Sequence, residues 1–217
     1  LAYGQGTANI VIMEKTSKLM DLFLVSVKPG AMLLGKVFAA AASGIFQSFV
    51  WIACLTGGVS LGIYFTKMVN PATDMGVIRI VESFGEFTGM FTVPGVILAL
   101  LMLAAGLLLY CSLAAVGGAI AEKPEDLSST SILFVMVLIL SFFATLYAGG
   151  TGADVPWDAI TWQVWVPFTA ILVAPTKILL GAMSIPEAAG SLGIVVVTAA
   201  LITVLAGKVY KMMSLYK

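Results

Sequence analysis

The chain has 217 residues, 60% of them hydrophobic and only 10% charged, with 11 basic and 11 acidic side chains and no histidine. Mean hydropathy is +1.08, and so few charges cannot cover a water-soluble fold, in which about a quarter of residues are charged. This excludes a soluble domain; a zero net charge without a basic stripe excludes nucleic-acid binding, and the missing histidine excludes Ser-His-Asp and Cys-His catalysis and His-ligated zinc.

The first stretch, Leu1 to Met13, is uncharged and mostly apolar. It is shorter than the ~20 residues that cross a bilayer and lacks the basic start of a signal peptide. It reads as the tail of a span in a longer polypeptide.

Residues 17–28 follow, with Leu19, Leu22, Phe23, Ser26 and Val27 on one helical face and Lys18, Asp21, Val25 and Lys28 on the other. The period predicts a short amphipathic helix ending at Pro29-Gly30, with Glu14 and Lys18 spaced to pair. Three readings stay open: a helix on lipid headgroups, a helix packed under the bundle, or a docking helix for a cytoplasmic partner.

Four charge-free runs of at least 20 residues come next: Val37–Thr66, Phe87–Ala121, Leu127–Ala153 and Ala188–Gly207. Each is long enough to span as a helix, and no period-2 alternation suggests a barrel. A further uncharged run, Ala159–Thr176, is divided by Pro167 and Pro175, and Trp157, Trp162 and Trp165 cluster at its start. Tryptophan favours the membrane interface, so this run reads as a re-entrant pair of short helices within an external segment, 154–180. A single kinked span is the alternative, and it would reverse the C-terminus. Charge decides between them. With re-entry, Lys15, Lys18, Lys28, Lys36, Lys123, Lys208, Lys211 and Lys217 share one side, against Lys67, Arg79 and Lys177 on the other. The richer side is cytoplasmic by the positive-inside rule. A kinked span would erase this asymmetry.

The expected fold is therefore an all-α polytopic membrane bundle: a single transmembrane domain, 1–217, with four complete spans and the end of a truncated one. A cytoplasmic segment, 14–36, holds the amphipathic helix, and a re-entrant hairpin precedes the last span.

Several motifs carry no chemistry. Gly30 to Lys36 fits G-x-x-x-x-G-K, but Val37 stands where magnesium needs Ser or Thr, and no strand precedes it. Gly58-x-x-x-Gly62, Gly85-x-x-x-Gly89 and the small residues from Ala39 to Gly44 permit close helix packing without demonstrating an interface. Arg79, Glu82 and Glu86, like Asp154 and Asp158, read as a solvated external face rather than a cation vestibule. No acid or base lies in the middle of a complete span, where proton and ion relays place them. Cys54 and Cys111 lie in apolar runs and read as unpaired small hydrophobes.

Tyr3-Gly4-Gln5, Glu14 to Asp21, Ser26-Val27-Lys28-Pro29 and Gly35-Lys36 together resemble the permease subunits of type-2 ATP-binding cassette exporters, most closely the NatB-type sodium-extrusion permeases. Lys18 stands for that pattern's arginine and Asp21 for its glutamate. Leu108-Leu109-Tyr110, Glu122 to Asp126 and Lys208 to Lys211 extend the likeness over nearly the whole chain. The resemblance implies six spans per permease half, of which this chain holds the end of the second and the third to sixth. It implies that the helix after span two couples to a separate ATPase subunit, with Glu14, Lys15, Lys18 and Asp21 in polar contacts and Leu19, Leu22 and Phe23 in apolar ones. ATP and magnesium would then bind the partner, and no cofactor, metal or catalytic residue is expected on this chain. A second permease half would complete the transporter, which would move sodium or a small molecule outward. A membrane-embedded enzyme would need convergent nucleophiles or metal ligands that are not found. A non-transporting anchoring or assembly protein is the alternative.

Overall fold

The computed structural model describes residues 2–16, 29–69, 76, 92–121, 123–150 and 161–215. Six α-helices are found among them, and no strand: α1 (Ala2–Thr16), α2 (Pro29–Val69), α3 (Val93–Ile120), α4 (Leu127–Gly150), α5 (Pro167–Leu179) and α6 (Ile185–Leu215), with 3-10 turns at Pro124–Asp126 and Trp162–Val164. Residues 17–28, and with them the expected amphipathic helix, lie outside the described residues, as do Arg79, Glu82, Glu86, Asp154, Trp157 and Asp158.

Local chemistry explains the ends. Thr92 caps α3, its hydroxyl accepting from the Gly95 amide at 3.2 Å with Pro94 in the first turn. Gly181, at φ +72°, closes α5. The Gly181 amide donates to the Ile178 carbonyl and the Ala182 amide to that of Lys177, the Schellman pattern, which only a residue tolerant of positive φ completes cheaply. Ser184 then opens α6, where the Glu187 carboxylate accepts from both its amide (2.9 Å) and its hydroxyl (2.6 Å).

Three of the helices are long and apolar enough to cross a membrane: α2, α3 and α6. The expected fourth span is α4, a 24-residue helix whose apolar stretch Ser131–Tyr147 falls just short of the ~20 residues a crossing takes. At about 1.5 Å per residue the 41 residues of α2 run some 60 Å, twice the hydrocarbon thickness. This helix starts at Pro29, not at Val37, and passes straight through Lys36. Residues Phe46 to Gly62 are exposed without a break, as a surface facing lipid would be.

The axis of the bundle is α3, against which α1, α2, α4, α5 and α6 all pack. Its second half is rich in alanine and glycine, and small residues let helix backbones approach. A Cβ on Gly118 would lie 2.6 Å from the Ala8 carbonyl oxygen, and one on Gly106 would lie 2.8 Å from Ile171 Cγ2. Contacts fix directions. Ala8 meets Gly118, and Ser112 meets Thr203 at 2.6 Å, so α1 and α6 run parallel to α3. Gly44 lies against Leu107, and Lys36 belongs with the Ala115–Ala119 end, so α2 is antiparallel. Consequently the ends of α1, α3 and α6 and the start of α2 meet at one end of the bundle.

The run Ala159–Thr176 divides differently from expectation. Pro167 starts α5, but Pro175 lies inside it and does not break it. Proline removes one helical hydrogen bond, here to the Ile171 carbonyl, and α5 is held by α3, α4 and α6 on its other faces. In place of two short helices there is a 3-10 turn and one 13-residue helix. That helix begins level with the middle of α3, where Ile171 meets Gly106, and ends level with its first turn, where Ile178 meets Gly95.

Candidate functional site

Two polar clusters stand out in this apolar bundle. The first joins α1, α2 and α6. Glu14, in the last turn of α1, forms an ion pair with Lys36, two turns into α2. The Lys36 ammonium also sits over the Tyr210 ring of α6, 5.6 Å from its centroid, within cation–π range. Lys36 is 10% exposed and Glu14 29%, so the pair is largely shielded from water. Tyr210 is fully buried. Beneath the pair, Val11, Leu33, Val37, Ala206 and the Cys111–Ala119 face of α3 form one apolar cluster. Three helix ends and the start of α2 are thereby joined at a single junction.

The second cluster surrounds the non-helical backbone at 161–166. Where backbone leaves the α-helix its polar groups need other partners, and several are identifiable here. The Gln163 amide donates to the Ala144 carbonyl of α4 at 2.8 Å, and the Thr161 hydroxyl donates to Gln163 Oε1 at 2.9 Å. Thr169 Oγ1 donates to the Gln163 carbonyl at 2.7 Å, Ser191 Oγ to that of Val164 at 2.5 Å, and the Tyr110 hydroxyl to that of Phe168 at 3.3 Å. Gln163, Thr169 and Ser191 are all buried. Trp162 and Trp165 remain exposed at the rim, Trp165 lying 3.3 Å from where a Gly190 Cβ would stand.

A third feature is a groove between α1 and α2. The Tyr3 hydroxyl donates to Gln47 Oε1, with the Ser43 carbonyl 3.4 Å away. Cavities of about 650 and 430 Å³ open on either side, lined among others by Tyr3, Ser43, Gln47, Gly6, Thr7 and Lys36. Tyr3, Ser43 and Gln47 contribute neutral dipoles beside the Lys36 ammonium, and Gln47 is exposed.

Residues 1–208 match the family profile described as ABC-2 family transporter protein. The chain belongs to the ABC-2 transporter family. An ABC-2 chain of this kind is a membrane permease component, in keeping with the multi-pass helical bundle described above. Among curated proteins it is 25% identical over 215 residues to the uncharacterized protein YhaP of Bacillus subtilis (strain 168). That alignment covers 97% of this chain and 47% of YhaP, so the chain spans about half the length of its relative. No solved structure matches it.

Of the residues expected to meet a partner, Glu14 is described, and its carboxylate pairs with Lys36. Lys15 lies in α1. Lys18, Leu19, Asp21, Leu22 and Phe23 lie outside the described residues. Sequence reasoning missed Gln163 and Gln47. Both carried a signal: each is an amide in a long uncharged run, and a lone amide at depth needs a partner.

Proposed function

We propose that this ABC-2 chain is permease machinery of an ATP-binding cassette exporter, moving a small cargo outward with ATP hydrolysed on a separate subunit. The observation that carries the reading is the junction at 14–36. Residues 17–28 lie between α1 and α2 in the chain, and the two flanking helices are tied by the Glu14–Lys36 pair. A segment so anchored delivers a push to helices instead of absorbing it as slack. Leu19, Leu22 and Phe23 would supply the apolar docking face, and Lys15, Lys18 and Asp21 polar contacts to the partner ATPase, which holds the ATP and magnesium. The junction end is cytoplasmic in this reading, in agreement with its share of lysines. The segment 154–180 is then external and re-entrant, and α4 completes the set of four spans.

A second permease half fits the α1–α2 groove. An amide and a phenol facing hydrocarbon would be costly, so protein or a water-filled path covers them. Their uncharged oxygens suit a small cargo, and the likeness to NatB-type permeases favours sodium over larger substrates.

The test is purification of the full-length protein from its native membrane in mild detergent, with co-purifying chains identified by mass spectrometry. A stoichiometric Walker-A ATPase is expected, and it is lost from the Leu22→Asp/Phe23→Asp variant. Recovery of a folded bundle without any ATPase would overturn the exporter reading and favour a non-transporting anchoring protein.

A further inference from the structure

The α6 helix follows the coupling segment by more than 150 residues, yet its end reaches the same junction. We infer that Glu14, Lys36 and Tyr210 form a latch that delivers displacement of residues 17–28 to α6 as well as to α2, so that both helices move as one body. The inference rests on the exporter reading and extends it by naming the side chains that transmit the motion.

Three observations carry it. Apolar contacts alone would let α6 slide: Val11, Leu33, Val37 and Ala206 touch through non-directional packing. The ion pair and the ammonium–ring contact are directional, and both end on one atom, Lys36 Nζ. That ammonium is the sole cation between Pro29 and Thr66 and stands one residue before an otherwise charge-free run. A shielded ion pair is a poor device for stability, because desolvation offsets the attraction, and fixing registry is its best-attested use. The latch also joins helices of opposite direction, α2 against α1 and α6, so a tilt imposed at 17–28 cannot turn one without the others.

The experiment uses the full-length complex with its native ATPase, spin-labelled at two exposed α6 and α2 positions, Met212 and Leu34, and in a second preparation at Met212 and Leu101 of α3. Distances are measured without nucleotide and after trapping with ATP and vanadate. In the wild type the Leu34–Met212 distance is expected to hold while Met212 shifts relative to Leu101. In Glu14→Gln/Lys36→Met, in preparations matched to wild type for bound ATPase, the shifted population at Met212 should fall at least about fivefold, the lower range of allosteric coupling. The ring-preserving Tyr210→Phe should keep the shift, whereas Tyr210→Leu, and the swap Glu14→Lys/Lys36→Glu that sets a carboxylate against the ring, should lose it. An unchanged shift in the folded Glu14→Gln/Lys36→Met variant would overturn the latch while leaving the exporter reading intact. A wild type with no nucleotide-dependent change at any label pair would overturn both.

Discussion

Ser191 and Tyr210 lie on the same helix, about 28 Å apart at 1.5 Å per residue, and each belongs to a polar cluster of opposite character. Around Ser191 the chemistry is neutral and mostly bonded to backbone: Gln163, Thr169, Ser191 and the half-buried Tyr110 donate to main-chain carbonyls, and Thr161 donates to the Gln163 side chain. Around Tyr210 the chemistry is ionic, partly open and made between side chains. The difference teaches what each end is for. Neutral hydrogen bonds to backbone lock an irregular segment that must not move in lipid. A charged pair at the margin binds helices together yet can be shifted as a unit by a partner in water.

The most severe break in this comparison comes from the helix contacts beneath the two clusters. Gly118, near the junction, faces Ala8 backbone, with a Cβ meeting the carbonyl oxygen at 2.6 Å and Cα at 2.9 Å. Gly106, level with the start of α5, faces only the Ile171 side chain. Backbone cannot step aside, whereas a side chain can repack. Gly118→Ala is therefore expected to cost about 3 kcal/mol and Gly106→Ala about 1 kcal/mol, the two ends of the overpacking range. Thermal unfolding of the purified protein in detergent checks the order. Equal costs would mean that α1 shifts as easily as a rotamer.

Next in size is Gln163→Leu, which keeps volume but removes the bonds to Ala144 and Thr161. Interhelical hydrogen bonds in membranes are worth about 0.6 kcal/mol each and rarely above 1.7, so a loss of about 1–2 kcal/mol is expected, with local loosening of α5 seen as faster amide exchange at 161–170. A neutral result would assign the locking of the segment to Thr169 and Ser191 alone.

Much of this plan was legible in the residues, because charge-free runs mark where helices cross. What they misplaced has a physical cause. The charge-free run Val37–Thr66 marks only the apolar part of a helix that begins at Pro29, because lysine is a good helix former and Lys36, paired with Glu14, bounds the run without ending the helix. Glu14 is 22 residues away on another helix, and no local pattern reports such a pairing. Pro175 was given the power to break a helix, and packing on α3, α4 and α6 overrode it. Ser184 and Glu187 showed the S-x-x-E spacing of a capping box in plain view. The turn at Gln163 has no period to read, and its four neighbours come from α3, α4, α5 and α6.

The smallest effect on stability is expected where the effect on motion is largest. Glu14→Gln/Lys36→Met removes both charges together, so neither is left buried without its partner, and the methionine chain still covers the Tyr210 ring. Removing a pair whole avoids the penalty that follows removal of one member, and replacing both members of a shielded pair by uncharged groups is often close to neutral. Unfolding of this variant should therefore lie within about 1 kcal/mol of wild type, less than for Gln163→Leu, although the knot of hydrogen bonds around Gln163 contains no charge at all. The single variant Lys36→Met should be the less stable of the two, since Glu14 then stands beside an apolar cluster alone. If instead the double variant unfolds as readily as Gly118→Ala, the junction is a structural bolt like the knot, and the contrast between a fixed end and a movable end fails.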